Sequence, residues 1–314
     1  MMSPITIAIA GSTAHTAQCA EAILNDPRFQ ITSIFTPAPK PVGRKKTVTP
    51  NPLHMFAQQH TIPTILIEEK INEQVKQYVE TLTQPDLLLV VDFGYFLPNW
   101  LLSWPTLAPI NIHPSDLPKF RGSSPGQFVL LFGETQSAVT LIRMDNKLDH
   151  GPIITKLSFA ISPTWTTKEY YSHAFDLIAK ELPTLLAEFV HNPTQGTTQP
   201  DGSPTPLARQ QKRDDGYIPL AHVQQAMGIR ATPTTPIPLL DGYALTPNAE
   251  QLYNMWRALT PWPGVWTVVN TKEGNKRVKL VECSFTNNHL IIRTIQVEGK
   301  NPKPFQKGVF SKEE

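Results

Sequence analysis

Asn111 and His113 alternate at the end of an apolar run, within NIHPSDLPKFRG at residues 111–122. Asp149 follows a second apolar run, within LIRMDNKLDHGPI at residues 141–153. A carboxamide, an imidazole and a carboxylate that meet at strand ends can move protons and hold a developing oxyanion. Asp149 would orient the imidazole, and Asn111 would share the oxyanion with it. Losing one such donor typically costs about 10²–10³ in rate. No covalent nucleophile accompanies the set: Cys19 and Cys283 lie elsewhere, and Ser115 lacks the base-and-orienter pattern of hydrolases. The residues therefore point to direct acyl-group transfer between two bound substrates, where positioning supplies much of the rate. No spacing of His, Cys and Asp here matches a metal motif, so no metal is expected. Taken singly, His113 fits a satisfied strand-end histidine, Asn111 a loop cap and Asp149 a turn residue. The chemistry requires all three together.

A sheet must carry them. Residues 5–10 form a short β-branched strand, GSTAHT a turn, and 17–25 a helix. Residues 31–35 are a strand, 36–52 a loop rich in Pro and Lys, and a helix starts near Leu53. Strands at 64–67, 86–91 and 110–112 follow, with a helix at 70–81. A helix near 125–132, strands near 138–143 and 151–159, and a helix at 167–190 complete this half, with a kink or break expected at Pro183. Strand, turn and helix alternate, which implies an α/β architecture: a mostly parallel sheet with helices on both faces. The first domain is drawn at 1–190. Residues 191–213 are turn-rich with few large apolar side chains and read as a linker. The remaining domain, 214–314, contains an unpatterned stretch at 223–247, then a short helix and strands at hairpin spacing. Those strands suggest a small β-barrel or sandwich.

With 314 residues, two domains are expected, each able to bury a core without staples. Two cysteines in different predicted domains argue against a disulfide framework and fit a reducing compartment. The opening MMSPITIAIAG lacks the basic leader of a secretory signal, and no apolar run approaches the ~18–20 residues that span a bilayer. A cytoplasmic monomer without membrane contact is the expectation. A formal charge of +2 does not identify a nucleic-acid binder. Its distribution is more informative: Lys40, Arg44, Lys45 and Lys46 cluster early, and Lys276, Arg277, Lys279, Lys300, Lys303 and Lys307 recur late. Such clusters can track phosphates, although a charge run alone more often marks a solvated loop.

NIHPSDLPKFRG and MDNKLDHG resemble the signature of the folate-dependent formyltransferases, an Asn-x-His with Ser-Leu-Leu-Pro and Arg-Gly, then Leu-Asp-x-Gly. IAGSTAH, TPAPKPVGRKKTVTPNP, VVDFGYFLPNW and WRALTPWPGVW resemble further stretches of that family in the same order. The resemblance implies a Rossmann-like catalytic domain joined to an OB-like β-barrel. It implies transfer of a formyl group from 10-formyltetrahydrofolate to the α-amine of methionyl initiator tRNA, in support of translation initiation. Asn111, His113 and Asp149 fall on catalytic positions. Phe93, Gly94, Ser115, Leu117, Pro118 and Leu148 fall on the folate side. Lys40, Arg44, Lys45 and Lys46 fall on the loop that contacts tRNA. An acceptor that is a nucleotide-linked amino sugar, or a non-catalytic tRNA-binding relative, are the alternatives. The basic loop argues against the first and the complete catalytic set against the second. The chain departs from the family at Asp116, at Asp92-Phe93, near His15, after Arg44 and across 223–240.

Overall fold

A computed structural model of the chain describes residues 3–42, 47–194, 196–229, 237–240, 243–245, 248–271 and 274–310. The chain runs β1 (Ile5–Gly11), α1 (Ala14–Leu24), β2 (Phe29–Pro37), β3 (Lys40–Val42), β4 (Thr47–Thr49), α2 (Pro52–Gln59) and β5 (Thr64–Ile67). It continues with α3 (Glu73–Val79), β6 (Leu87–Val91), α4 (Asn99–Leu102), β7 (Ala108–His113), α5 (Pro125–Leu131), β8 (Gln136–Arg143), β9 (Ile153–Ala160) and α6 (Thr167–His191). Then come α7 (Leu220–Ala226), β10 (Ile237–Leu240), β11 (Tyr243–Leu245), α8 (Ala249–Leu259), β12 (Val265–Thr271), β13 (Gly274–Thr286), β14 (His289–Val297) and β15 (Lys303–Pro304). Two compact units result. The first holds residues 1–121, 138–159 and 172–205; the second holds 122–137, 160–171 and 206–314.

The first unit is built on a seven-stranded sheet in the order β5-β2-β1-β6-β7-β8-β9. β5 through β7 are mutually parallel, and β8 runs antiparallel to β7. The sheet is therefore mostly parallel and Rossmann-like. β6 is LLLVV with all five residues buried, as expected of a central parallel strand covered on both faces. At the end of β1, Gly11 is required: a Cβ there would collide with Thr16 and with the Val91 carbonyl. Thr13 caps α1 by accepting from the Thr16 amide, and the Thr16 hydroxyl donates to the Val91 carbonyl at 2.9 Å. These contacts fasten the start of α1 to the end of β6.

Two expectations need adjustment here. The 36–52 loop contains a hairpin, β3 paired antiparallel with β4. Arg44, Lys45 and Lys46, with Gly43 before them, lie outside the described residues. The break expected at Pro183 does not occur, since α6 is one helix from Thr167 to His191. Proline costs a helix interior about 3 kcal/mol. Phe175, Ile178, Leu182, Leu186 and Phe189 are all fully buried along α6, and each contributes roughly 1.5–3 kcal/mol, so packing on both sides of the proline outweighs it.

The second unit centres on α8 and the antiparallel sheet β12-β13-β14-β15. Leu252, Met255, Trp256 and Leu259 of α8 are buried, and the Trp256 indole N–H donates to the Leu280 carbonyl at 3.3 Å. Register shifts at Leu280–Cys283 bend β13. The OB-like closed barrel is not seen: among the described residues the sheet is open, with β12 at one edge and β15 at the other. β15 has only two residues, and one is Pro304, which has no N–H to offer a further strand. No described helix is long and apolar enough to cross a membrane.

Candidate active site

β7 places two of the three candidate residues. Side chains two apart on a strand share a face, so Asn111 and His113 emerge together while Ile110 and Ile112 enter the core. Asp149 arrives from the turn between β8 and β9. That turn is closed by the Arg143 amide donating to the Pro152 carbonyl at 2.9 Å. Gly151 is needed beneath it, because a Cβ would collide with the Arg143 carbonyl.

The three side chains converge within the first unit. The Asn111 amide donates to Asp149 Oδ1 at 3.3 Å, and Asp149 Oδ2 stands 3.6 Å from His113 Nδ1. Their side chains are largely buried, His113 at 5% and Asp149 at 10% exposure. The imidazole is oriented by a different partner from the one the sequence suggested. His113 Nε2–H donates to the Phe120 carbonyl at 3.0 Å, while Asp149 lies beyond hydrogen-bond reach on the other side. The nitrogen that faces the carboxylate is Nδ1.

The 114–121 loop is wound so that it can present that carbonyl. The Ser115 hydroxyl donates to the Lys119 carbonyl at 2.8 Å, Thr140 donates to the Ser115 carbonyl at 2.6 Å, and the Leu117–Pro118 bond is cis. Phe120 sits at φ +60°, with its amide donating to the Thr205 hydroxyl at 2.6 Å. Of the residues expected on the folate side, Ser115 and Leu117 are fully buried and shape the loop from within. Pro118 is partly buried. Phe93 is partly buried and rests against Tyr95, ring centroids 5.4 Å apart, while Gly94 is exposed. Gly94 also lines a cavity of ≈ 400 Å³ with Tyr95, Phe96, Pro98 and residues 69–71. Leu148 is 61% exposed beside Asp149. Lys40 is exposed at the base of the β3–β4 hairpin.

The departures find local explanations. Asp116 pairs with Lys156 of β9 at 2.6 Å, and the same ammonium donates to the Leu117 carbonyl; the extra carboxylate thus braces the loop. Asp92 adopts φ +47° at the end of β6 and accepts from the Thr13 hydroxyl at 2.9 Å. Burial pushes its carboxyl above the usual range, with the Thr13 hydrogen bond, His15 and His113 pulling the other way. Burial also lowers His15, opposed by Asp92 and Asp176, and its ring stacks on Phe175 at 4.4 Å.

Two buried polar residues of the site were not expected to contribute. Arg121 donates to Gln199 Oε1 from Nε and Nη2, at 3.3 and 3.0 Å. Gln199 Nε2 donates to the Asp149 and Gly151 carbonyls at 3.0 and 2.7 Å. Arg121 was visible within the Arg-Gly pair. Nothing in the polar stretch around Gln199 distinguishes it in sequence.

Residues 4–186 match the family described as Formyl transferase, and residues 245–291 match Formyl transferase, C-terminal domain. The methionyl-tRNA formyltransferase of Acidobacterium capsulatum is 29% identical over 267 residues, 84% of this chain and 76% of that protein. The Geotalea daltonii protein of the same name is 27% identical over 90% of this chain and 87% of its own length; that of Sulfurovum sp. is 30% identical over 83% and 76%. Among solved structures, methionyl-tRNA formyltransferase from Clostridium thermocellum superposes with a TM-score of 0.58 at 14% identity, covering 93% of this chain and 98% of that one. An N-formyltransferase from Helicobacter canadensis, in complex with folinic acid and dTDP-3-aminofucose, gives 0.59 at 18% identity, covering 90% and 88%. At these identities the structural matches speak for the fold alone.

Proposed function

This chain belongs to the formyl transferase family, and from that premise we propose that it transfers a formyl group from 10-formyltetrahydrofolate to the α-amine of methionyl initiator tRNA. The carrying observation is the single carboxylate of Asp149 set between the Asn111 amide and His113 Nδ1. The acceptor follows from relatives named methionyl-tRNA formyltransferase along most of the chain. Residues 1–190 carry the chemistry in this reading, 191–213 connect, and 214–314 add contacts to tRNA.

The nucleophile is an α-amine whose ordinary pKa is about 7.7–8.0, so a useful fraction is neutral at cell pH. Its lone pair forms the new C–N bond at the formyl carbon, and the bond from that carbon to the folate nitrogen breaks. The amine loses a proton and the folate nitrogen gains one. The Asn111 amide stabilises the oxygen that carries charge between those events, joined by the His113 ring in its imidazolium form, in which Nδ1 also carries a proton. Asp149 takes up the amine proton and keeps Asn111 aligned. With no covalent bond to the enzyme, the site's work is alignment and charge stabilisation. The 93–94 and 115–118 segments and Leu148 border the folate, and Lys40 with Arg44, Lys45 and Lys46 grips phosphate.

The test is formylation of charged initiator tRNA by the purified chain with 10-formyltetrahydrofolate, across a range of salt. Product is expected, with tRNA affinity falling steeply as salt rises, as phosphate contacts require. A preparation that leaves the tRNA untouched while formylating a nucleotide-linked amino sugar would overturn the assignment of the acceptor.

A further inference from the structure

Asp149 sits at φ +48°, a left-handed conformation that aspartate tolerates in a turn, so the direction of its carboxylate depends on what holds the turn's backbone. The turn's own Gly151 relieves crowding but does not fix Asp149. We propose that Gln199 is a positioning residue for Asp149, and that Arg121 holds Gln199 in place to do so. The inference rests on the reading of Asn111, His113 and Asp149 as the transfer site.

The geometry is complete at both ends. The two amide protons of Gln199 go to the Asp149 and Gly151 carbonyls, at 3.0 and 2.7 Å, and so bracket His150 and clamp the turn from behind. The amide oxygen receives two donors from one guanidinium, at 3.3 and 3.0 Å. Arginine has donors only, so this pairing also fixes which end of the amide faces the turn. Arg121 further donates to the Pro200 and Asp201 carbonyls at 2.8 and 3.1 Å. Both side chains are buried, Gln199 at 4% and Arg121 at 6% exposure. In a dry setting an amide with every donor and acceptor engaged resists reorientation.

The relay has a consequence for the pair it serves. Arg121 directly follows Phe120, whose carbonyl fixes His113 Nε2. Adjacent residues of one loop therefore set the imidazole directly and the carboxylate through Gln199. The 3.6 Å separation of His113 and Asp149 is held by that loop, with no direct hydrogen bond between the two.

The test is a double-mutant cycle in the full-length chain. Gln199→Ala is expected to lower kcat about 10–100-fold while KM for both substrates stays within about threefold, as misalignment at a reacting centre does. Gln199→Glu keeps the acceptor for Arg121 and loses both donors to the turn; it should fall as far. In an Asp149→Ala background, Gln199→Ala should cost no more than about twofold further, because a positioning residue has nothing left to position. Equal losses in both backgrounds, an unchanged kcat, or variants that do not fold would overturn the proposal and leave Gln199 a structural residue. The cycle is run with charged initiator tRNA and with a nucleotide-linked amino sugar as acceptors. If only the sugar is formylated, the acceptor assignment falls and the cycle on that acceptor still decides for or against Gln199. A wild-type chain that formylates neither overturns both.

Discussion

Asp92 and Asp149 are nearly the same object to the backbone and different objects to the chemistry. Each follows an apolar strand of one sheet, β6 and β8, and each is left-handed, at φ +47° and +48°. Asp149 is caught between the Asn111 amide and the His113 ring, with its carbonyl tied down by Gln199. Asp92 accepts from the Thr13 hydroxyl at the start of α1, and burial favours its protonated form. What differs is the set of donors each carboxyl meets. An amide and an imidazole beside Asp149 suit it to the proton transfer proposed for it. At Asp92 burial outweighs the Thr13 hydroxyl and the opposing pull of His15 and His113, and makes it a group that resists ionisation. Residue type and strand-end position are therefore insufficient to assign a catalytic carboxylate; the neighbours decide.

The largest expected contrast is in rate. Asp149→Asn keeps a residue that tolerates the left-handed conformation and removes the proton acceptor; kcat should fall about 10²–10⁴-fold with the melting temperature nearly unchanged. Single-turnover formylation measures this, and full activity in the variant would end the proposed mechanism. Asn111→Ala should cost about 10²–10³ in kcat, as loss of one oxyanion donor does. The same assay checks it, and a pure KM effect would move Asn111 from the reaction to substrate binding.

Asp92 should respond in stability, with a defined sign. Aspartate in an unfolded chain titrates near ~3.9, and burial raises the folded value. The folded state thus keeps the proton where the unfolded chain has lost it. This contribution is fully present below about pH 4 and is lost as pH climbs through the folded value. Asp92→Asn should match wild type at low pH and become progressively the more stable of the two as pH rises. Melting temperatures across that range test it; a pH-independent difference would contradict the assignment. The smallest effect is expected from Asp116→Leu. Its pair with Lys156 is half exposed, at 47% and 32%, so the change in unfolding free energy should stay within about 1 kcal/mol, read from denaturant melts. A larger loss would mean that the brace on the 115–118 loop matters more than the ion pair itself.

Much of the candidate site was legible because it lies on regular elements. Asn111 and His113 share a face through the two-residue period of β7, and the turn residues around Asp149 mark the return from β8. Gly11 and the Thr13 cap announce the β1–α1 turn in the same local way. The Phe120 carbonyl was not legible, since a backbone group has no side-chain signal. Gln199 was not legible either, because its partners lie 48 to 78 residues away and its surroundings read as linker. Among the described residues the barrel is not closed: hairpin spacing shows that strands pair, but closure depends on whether the last strand has length and donors, and β15 has two residues, one of them without an N–H.

The sequence by itself determined the mostly parallel sheet and the alternation of its main strands and helices, and it offered the three side chains as candidates, because periodicity and turn chemistry are local properties of the chain. Tertiary structure alone decided which nitrogen of His113 faces Asp149, which of two left-handed aspartates pairs with it at 3.6 Å, and what holds that aspartate in its turn. Those outcomes depend on donors and acceptors brought together from distant segments, and on how much water each is denied.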